Sequence, residues 1–505
     1  MPIPLFNSIL SWFLKKRIHQ IELFLKYPNE VQNEVLIKLL GAGKNTEIGR
    51  KYGFESINNY ETFKERVPLC QYEDIVPLIE RARKGEQNIF WNTPIKWFAK
   101  SSGTTDAQSK YIPVSTESLD DCHFKAGKDM LSLYINNNEN SQLFSGKGLR
   151  LGGSKKLYES NNTYFGDLSA IIIDNLPLWA ELVSTPSNDV SLMSDWEVKM
   201  NMIVNETLQE DVTSLAGVPS WMMVLLTTVL EKTGKSHVLE VWKNLEVYFH
   251  GGVSFEPYRE AYEKLMPKSE FNYYEIYNAS EGFFGIQDQN HSNELLLMLD
   301  YGIFYEFIPM KTFGTSRQKA VRLSDVELHT QYAVVISTNA GLWRYLIGDT
   351  IRFTSLHPYR FKVSGRTKHH INVFGEELMI ENTDRGLAEI SKRHGVSIVD
   401  YTVGPIFMKD KNKGGHEWII EFKTPPKDAP LFAKQLDEEL QKLNSDYQAK
   451  RDMNITLNPL IIHQARPSLF YDWLKKEKKL GGQHKIPRLS NERKFVEELL
   501  AMNQS

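Results

Sequence analysis

The feature that most constrains this chain is a change in its pattern along the sequence. Between residues 115 and 245, helical stretches alternate with short apolar strands such as Ala170–Ile173. From Leu245 onward, compact apolar strands follow one another across glycine turns, at Leu245–Phe249, Phe271–Tyr277, Ile303–Ile308 and Tyr332–Ser337. Alternating helices and apolar strands predict a layered α/β domain. After Phe361-Lys362-Val363-Ser364-Gly365-Arg366 the pattern starts again. Strands are expected near Ile398–Val403, Trp418–Phe422 and Ile455–Leu460, with a helix over Leu431–Leu443. This second stretch reads as a separate α+β unit, able to move about linkers near Gly365 and Gly375. The expected division is therefore a large domain over residues 1–364 and a smaller, mobile one over 365–505. At the start of the first, about the first 90 residues read as helical, amphipathic over Ile18–Leu40, and Pro94–Phe98 reads as an extended segment running into a Ser/Gly/Thr turn.

Composition excludes several classes of function. Lys and Arg (60) nearly balance Asp and Glu (63), and the formal net charge is -3. No basic block is present to suit a nucleic-acid polymer, so none is expected as partner. Two cysteines, Cys70 and Cys122, exclude a disulfide scaffold and a cysteine-rich zinc site, and they fit a reducing compartment. The apolar stretch Met1–Leu14 precedes its basic residues, the reverse of a signal peptide, and no later apolar run is long enough to span a bilayer. A cytoplasmic location with no membrane span is expected.

Four short segments carry candidate chemistry. Ser101-Ser102-Gly103-Thr104-Thr105, followed by Lys110, lacks the order of a Walker A loop but has the physics of a phosphate cradle. Gly103 permits a tight turn of converging N–H groups, the hydroxyls donate to phosphate oxygens, and Lys110 adds a mobile cation. The bland alternative is a plain Ser/Thr turn. In Tyr273-Tyr274-Glu275-Ile276-Tyr277-Asn278-Ala279-Ser280-Glu281-Gly282 an aromatic strand runs into a polar turn. Glu281 there could hold Mg²⁺, which takes one or two carboxylates plus substrate oxygens; otherwise it is a solvated turn residue. Trp343-Arg344-Tyr345-Leu346-Ile347-Gly348-Asp349 offers Asp349, in an expected tight turn, to a pair of ribose hydroxyls, with a structural Gly-Asp hairpin as the alternative. Gly481-Gly482-Gln483-His484-Lys485-Ile486-Pro487-Arg488 projects Lys485 from a flexible loop. That cation could stabilise charge building between a carboxylate and an α-phosphate, or it could simply be solvated. His369-His370 is not a metal pair, because neighbouring strand residues point to opposite faces.

Taken together and in this order, the four motifs resemble those of the adenylate-forming superfamily, which includes acyl-CoA synthetases and firefly luciferase. More closely they resemble the auxin-responsive acyl-acid amido synthetases (the Gretchen Hagen family) and their bacterial relatives. The resemblance runs from the N-terminal helix to Arg488. It implies an adenylate-forming fold, with ATP bound between a large adenylation domain and a small lid domain that carries the catalytic lysine. It also implies ATP-dependent activation of a carboxylic acid as its acyl-adenylate, release of pyrophosphate, and acyl transfer to an amine or amino acid.

By position, Ser101, Ser102, Gly103, Thr104, Thr105 and Lys110 would surround the phosphates. Gly251 and Gly252, after His250, would border the adenine and the acyl pocket. Tyr277, with Asn278, Ala279 and Ser280, would lie along the adenine or ribose, Glu281 would bind Mg²⁺, and Asp349 would hold the ribose. Arg366 would sit at the hinge, and Lys485 with Glu281 would be catalytic. From the residues themselves, Val218, Trp221, Met222 and Phe284 are expected in the acyl pocket or, equally, in plain core, and Arg150 is a candidate carboxylate anchor. Either Trp343 or Tyr345 matches the family's tyrosine. The sequence after Gly365-Arg366 lacks the acidic pair of many acyl-CoA synthetases. Two other readings stay open, an acyl-CoA ligase and a nucleotide-binding protein without catalysis. A monomer or weak homo-oligomer is expected.

Overall fold

The computed structural model describes residues 4–101, 110–152, 158–160, 163–193, 195–253, 255, 258–269, 271–367, 370–408, 413–451, 457–477 and 486–503. The N-terminal region is helical as expected, with helices Pro4–Lys26, Pro28–Gly43, Glu47–Tyr52, Tyr60–Arg66 and Tyr72–Arg83. Their starts follow from local chemistry. Pro28 opens the second helix, where its missing N–H costs nothing. Thr46 and Asn59 accept the orphan N–H groups of Gly49 and Thr62.

Polar contacts fasten this helical layer to the rest of the chain. Arg17 bonds Asp129 and Asp300, and the Gln32 amide reaches the carbonyls of Leu299 and Ile303. Buried Arg344 pairs with Glu306 at 2.8 Å and donates to the Lys64 and Val67 carbonyls. Tyr60 donates to the same Glu306. Every partner of that ion pair is thus supplied with hydrogen bonds, the condition under which a buried pair is tolerated.

A small sheet comes first: β1 (Trp97–Ser101) and β2 (Lys110–Val114), then, after β3 (Lys147–Arg150), β4 (Tyr158–Ser160) and β5 (Thr163–Gly166), in the order β2-β1-β5-β4. Ala170–Ile173, expected as a strand, instead lies in the helix Leu168–Asp174. Four apolar residues have no period that distinguishes strand from buried helix. The chain continues through β6 (Ser184–Thr185), β7 (Val212–Gly217), β8 (Val247–Gly251), β9 (Asn272–Ala279), β10 (Gly282–Ile286), β11 (Leu295–Leu297), β12 (Ile303–Pro309), β13 (Val321–Arg322), β14 (Gln331–Thr338), β15 (Tyr345–Leu356) and β16 (Tyr359–Arg366).

With β3 these make a large sheet, β13-β12-β14-β15-β16-β11-β10-β9-β8-β7-β3-β6 among the described residues. Its β6-β3-β7-β8-β9 side is parallel. From β9 to β10 onward it is antiparallel. The sense of the sheet changes at β9, and the carboxyl ends of the parallel strands at such a change are the usual position for a ligand in an open α/β sheet.

Beyond β16 come the short strands β17 (His370–Ile371) and β18 (Leu378–Met379), which pair with each other. A separate sheet then forms from β19 (Ser397–Ile406), β20 (Gly415–Thr424) and β21 (Ile461–Ala465). The third strand lies beyond the expected Ile455–Leu460. Helix Ala429–Leu443 matches expectation, with Asp428 as its cap. One apolar cluster runs from Leu215, Leu226 and Trp242 beside the large sheet to Phe374, Trp418 and Leu436 beside the small one. Hydrogen bonds from Ser220 to the Phe374 carbonyl and from Tyr258 to the Val373 carbonyl reinforce this seam. No helix among the described residues is long and apolar enough to cross a membrane.

Candidate active site

The site is built around the end of β9. Tyr277, two residues before that end, donates its hydroxyl to Asp349 at 2.7 Å, and its ring packs against Phe284 and Phe361. Asp349 stands directly opposite Arg366 on the paired strand, and the Arg366 Nε donates to it at 2.8 Å. Arg366 also reaches Glu377 at 3.4 Å, just beyond the large sheet. Burial works against the Arg366 charge, but Glu377 and Asp349 together outweigh it and hold the guanidinium firmly protonated. Burial, then the neighbouring Asp349 charge, keeps the Tyr277 phenol protonated as well.

Asp349 is not in a tight turn, as its Gly-Asp sequence predicts, but inside the long strand β15. The kink lies in Gly348, whose φ of +91° only glycine adopts readily. Thr367 secures it, donating its N–H and its hydroxyl to the Gly348 carbonyl. Asp349 has therefore used one lone pair on each oxygen, for Tyr277 and Arg366, and a carboxylate offers about four. The two remaining positions suit a vicinal diol.

Glu281 sits in the turn between β9 and β10, where Ala279 pairs with Gly282; Ser280 precedes it in the turn, and Asn278 and Ala279 are the last residues of β9. Among the described residues its carboxylate takes a hydrogen bond only from its own backbone N–H. Burial pushes it up to about 6, with Lys110 opposing the shift. Lys110 begins β2, paired with Ser101 at the end of β1, and its ammonium lies 5.5 Å from the Tyr72 ring. The ends of the expected phosphate loop are thereby fixed beside Glu281, while Ser102, Gly103, Thr104 and Thr105 lie outside the described residues, as does the Ser101 side chain.

The two aromatics of the third motif differ in their surroundings. Trp343 packs against Phe54 and Trp91 and donates to the Phe90 carbonyl. Tyr345, joined to Cys70 by an isolated β-bridge, has a buried hydroxyl with no hydrogen-bond partner among the described residues, and Glu281 is the foremost charge acting on it. Cys122 is buried and Cys70 half-buried, and desolvation pushes each thiol up to about 12, away from a reactive thiolate.

Gly251 and Gly252 follow the buried His250, whose ring stacks on Phe255 at 4.0 Å. Burial, with Arg259 nearby, pushes His250 down to about 3, so it acts as a neutral aromatic wall. A side chain on Gly251 would meet the Ile276 carbonyl oxygen at 2.4 Å, so the strands approach too closely there for anything but glycine. Val218 lies 3.4 Å from where a Cβ on Gly252 would stand, and Met222 packs beside Gly217. Trp221 is half-buried beneath the Lys450 ammonium, at 4.3 Å. Phe284 does not join these three; it packs with Tyr277 and Tyr305 in the other core cluster. Arg150 bonds Asn188, and burial lowers it to about 10.

Lys485 lies outside the described residues. The residues that follow it are tied to β19, through Thr402 to the Pro487 carbonyl and Val403 N–H to the Arg488 carbonyl, while Arg488 pairs with Asp384 in the helix Ile380–His394. His369 and the His370 side chain also lie outside the description. Among the described residues no group of three or more His, Cys, Asp or Glu could by itself hold a metal ion. Sequence reasoning missed Glu377, Tyr72 and a group of charges around Asp167; none of them belongs to a motif.

Three family models match the chain in succession: the GH3 family N-terminal domain over residues 17–271, the central domain over 296–366 and the C-terminal domain over 381–494. The chain belongs to the GH3 family. Its GH3 relatives include an indole-3-acetic acid-amido synthetase, GH3.3 of Arabidopsis thaliana, 22% identical over 94% of this chain and 91% of that protein. A second, the 4-substituted benzoates-glutamate ligase GH3.12 of Arabidopsis thaliana, is 24% identical over 93% and 94%. The solved GH3.15 acyl acid amido synthetase superimposes with a TM-score of 0.62 at 18% identity, covering 97% of this chain and 96% of that one. A 2-hydroxyisobutyryl-CoA ligase does so with a TM-score of 0.58 at 12% identity, covering 94% and 93%. The fold is that of the adenylate-forming enzymes, with a large α/β region and a smaller C-terminal one.

Proposed function

We propose that this GH3 chain is an ATP-dependent acyl-acid amido synthetase, which joins a carboxylic acid to ATP as an acyl-adenylate with loss of pyrophosphate and then passes the acyl group to an amino acid. The single observation that carries this reading is the convergence of Tyr277, Asp349, Arg366, Glu281 and Lys110 at the end of β9. One carboxylate has spare acceptor sites for a ribose, and another, unsatisfied, faces the cation that flanks the phosphate loop.

A carboxylate attacking a triphosphate brings two anions together, so the site must neutralise charge. Lys110 and the loop over 101–105 do so for the phosphates, and Lys485 does so where the acid oxygen meets the α-phosphorus. Glu281 is the residue to hold Mg²⁺. Its partly buried carboxylate, bonded among the described residues only by its own backbone N–H, suits a hard cation that completes its shell with substrate oxygens. Mg²⁺ bound there supplies charge neutralisation on the phosphates.

Asp349 orients the ribose, with Tyr277 and Arg366 fixing its own geometry. Tyr277 also lies along the adenine or ribose beside Asn278, Ala279 and Ser280, and Gly251 and Gly252 let the nucleotide approach the backbone. Val218, Trp221 and Met222 wall the acyl pocket, with Phe284 behind Tyr277. The working division is residues 1–364 as the adenylation domain and 365–505 as a lid whose rotation withdraws Lys485 and admits the amine. Two reduced cysteines fit work in the cytoplasm, as a monomer or weak homo-oligomer.

Acyl-dependent exchange of labelled pyrophosphate into ATP, screened over a library of carboxylic acids, tests the first half-reaction. Product mass with amino acids or with coenzyme A tests the second. Exchange followed by an amide is the expected result; a thioester would replace this reading with an acyl-CoA ligase, and ATP binding without exchange would remove the enzyme.

A further inference from the structure

Across the small sheet from Lys110 lies a second group of charges that the adenylation chemistry leaves unused. β1 and β5 run parallel, with Ala99 opposite Gly166, so Lys100 and Asp167 are the next residues out of the same sheet end. β2 begins at that end, on the far side of β1, with Lys110. Two strand spacings separate Asp167 from Lys110, about 10 Å. Asp167 precedes the helix Leu168–Asp174 but makes no capping hydrogen bond with its side chain.

Three ammonium groups act on it, from three different elements: Lys450, Lys100 and Lys199. Lys199 is 1% exposed and donates to the Gly152 carbonyl at 2.8 Å, beyond the end of β3. Lys450 lies over Trp221, at the start of the helix that follows β7, and its own flank carries Asp446, Glu376 and Glu377. The carboxylate and the lysines therefore meet where the parallel strands end, beside the expected acyl pocket. Asp167 is exposed at its surface yet ringed by protein, and that burial raises it, opposed by Lys450, Lys100 and Lys199 in turn.

We propose that Asp167 is the catalytic base of amide formation: it pairs with the α-ammonium of the acceptor amino acid and takes one proton from it, while the surrounding lysines attract the acceptor's carboxylate. The inference rests on the amido synthetase reading above. An amino acid arrives as a zwitterion, and its ammonium has no lone pair. Transfer of one proton to the Asp167 carboxylate frees that lone pair, which forms a bond to the acyl carbonyl carbon. The bond from that carbon to the phosphate oxygen breaks, and AMP leaves with the electron pair. The second proton on nitrogen departs to solvent as the amide forms. The acceptor's carboxylate fits the positive field of Lys100, Lys199 and Lys450, and an acceptor of opposite polarity does not.

The test compares two acceptors on Asp167→Asn in the full chain, with acid and ATP present. Hydroxylamine is already neutral near neutrality and needs no base, so hydroxamate formation reports adenylate supply and an intact fold. The variant is expected to keep hydroxamate formation within about threefold of wild type and to lose amide formation by about 10²-fold or more. Its remaining amide formation should climb with pH toward the amine's own pKa, a limb the wild type lacks. Equal loss with both acceptors, or amide formation at the wild-type rate, would overturn the role of Asp167. Absence of any hydroxamate or pyrophosphate exchange in the wild type would instead overturn the synthetase reading, and this inference with it.

Discussion

In the proposed reaction Asp349 and Glu281 serve the same nucleotide from opposite conditions. Asp349 is occupied before any ligand arrives, with the Tyr277 hydroxyl at 2.7 Å and the Arg366 Nε at 2.8 Å. Glu281, in the turn four residues beyond Tyr277, has only its own backbone N–H among the described residues and is pushed up to about 6, chiefly by burial. One carboxylate is held rigid by the protein; the other is left in a state that folding disfavours. A group that must orient a neutral diol gains from being fixed in advance. A group that must take up a cation gains from having no competing partner, and the protein bears the stability cost until the ligand arrives.

The largest effect should come from removing the unsatisfied carboxylate. Glu281→Gln is expected to lower pyrophosphate exchange about 10³-fold, since several kcal/mol of charge stabilisation on the phosphates would be lost. The same change should stabilise the ligand-free protein. In the folded state Glu281 holds its proton to about 6, above the ordinary 4.5, so stability falls as pH rises between those values. Glutamine escapes that loss, and above pH 6 the variant should be about 1–2 kcal/mol more stable in denaturant titrations. At pH 4 the gain should vanish. A variant that loses both activity and stability would place Glu281 with Asp349, among the fixed groups.

Lys485→Ala comes next, expected to slow adenylate formation about 10²–10³-fold with ATP affinity nearly unchanged. Wild-type exchange rates in this variant would remove the lysine from the mechanism. Smaller again is Asp349→Asn, which weakens the fixed side of the comparison by deleting the charge that Tyr277 and Arg366 both address. Stability should fall by about 2 kcal/mol, the scale of hydrogen bonds to a charged group, and the KM for ATP should rise. Unchanged stability would show that Arg366 is satisfied by Glu377 alone.

The same contrast explains what was legible in the sequence. Motifs expose groups whose neighbours along the chain betray them: the Ser/Gly/Thr loop, the glutamate after an aromatic strand, the Gly-Asp pair. Partners that meet through the fold leave no such trace. Arg366 and Asp349 face each other only because β15 and β16 pair in that register, and Lys450 reaches Trp221 from a different part of the chain. Gly348-Asp349 reads as a turn because glycine at positive φ usually marks one, whereas here it kinks a strand that is continuous on both sides. Ala170–Ile173 reads as a strand because four apolar residues carry no period. Glu281 was found by chemistry, but its isolation, which gives it a purpose, is a property of the packed turn.

The smallest expected effect sharpens the comparison most finely. Tyr277→Phe keeps the ring against Phe284 and Phe361 and deletes one hydrogen bond to Asp349, leaving the Arg366 contact in place. If pre-pairing serves to orient the ribose-binding carboxylate, the loss should be about 1 kcal/mol in stability and a rise of about fivefold in the KM for ATP, with kcat little changed. The aromatic ring survives, so a KM effect reports the orientation of Asp349 and not the loss of an aromatic wall. A fall in kcat at constant KM would instead tie the Tyr277 hydroxyl to the transition state, and Asp349 would then belong with Glu281 among the groups that act on the phosphates.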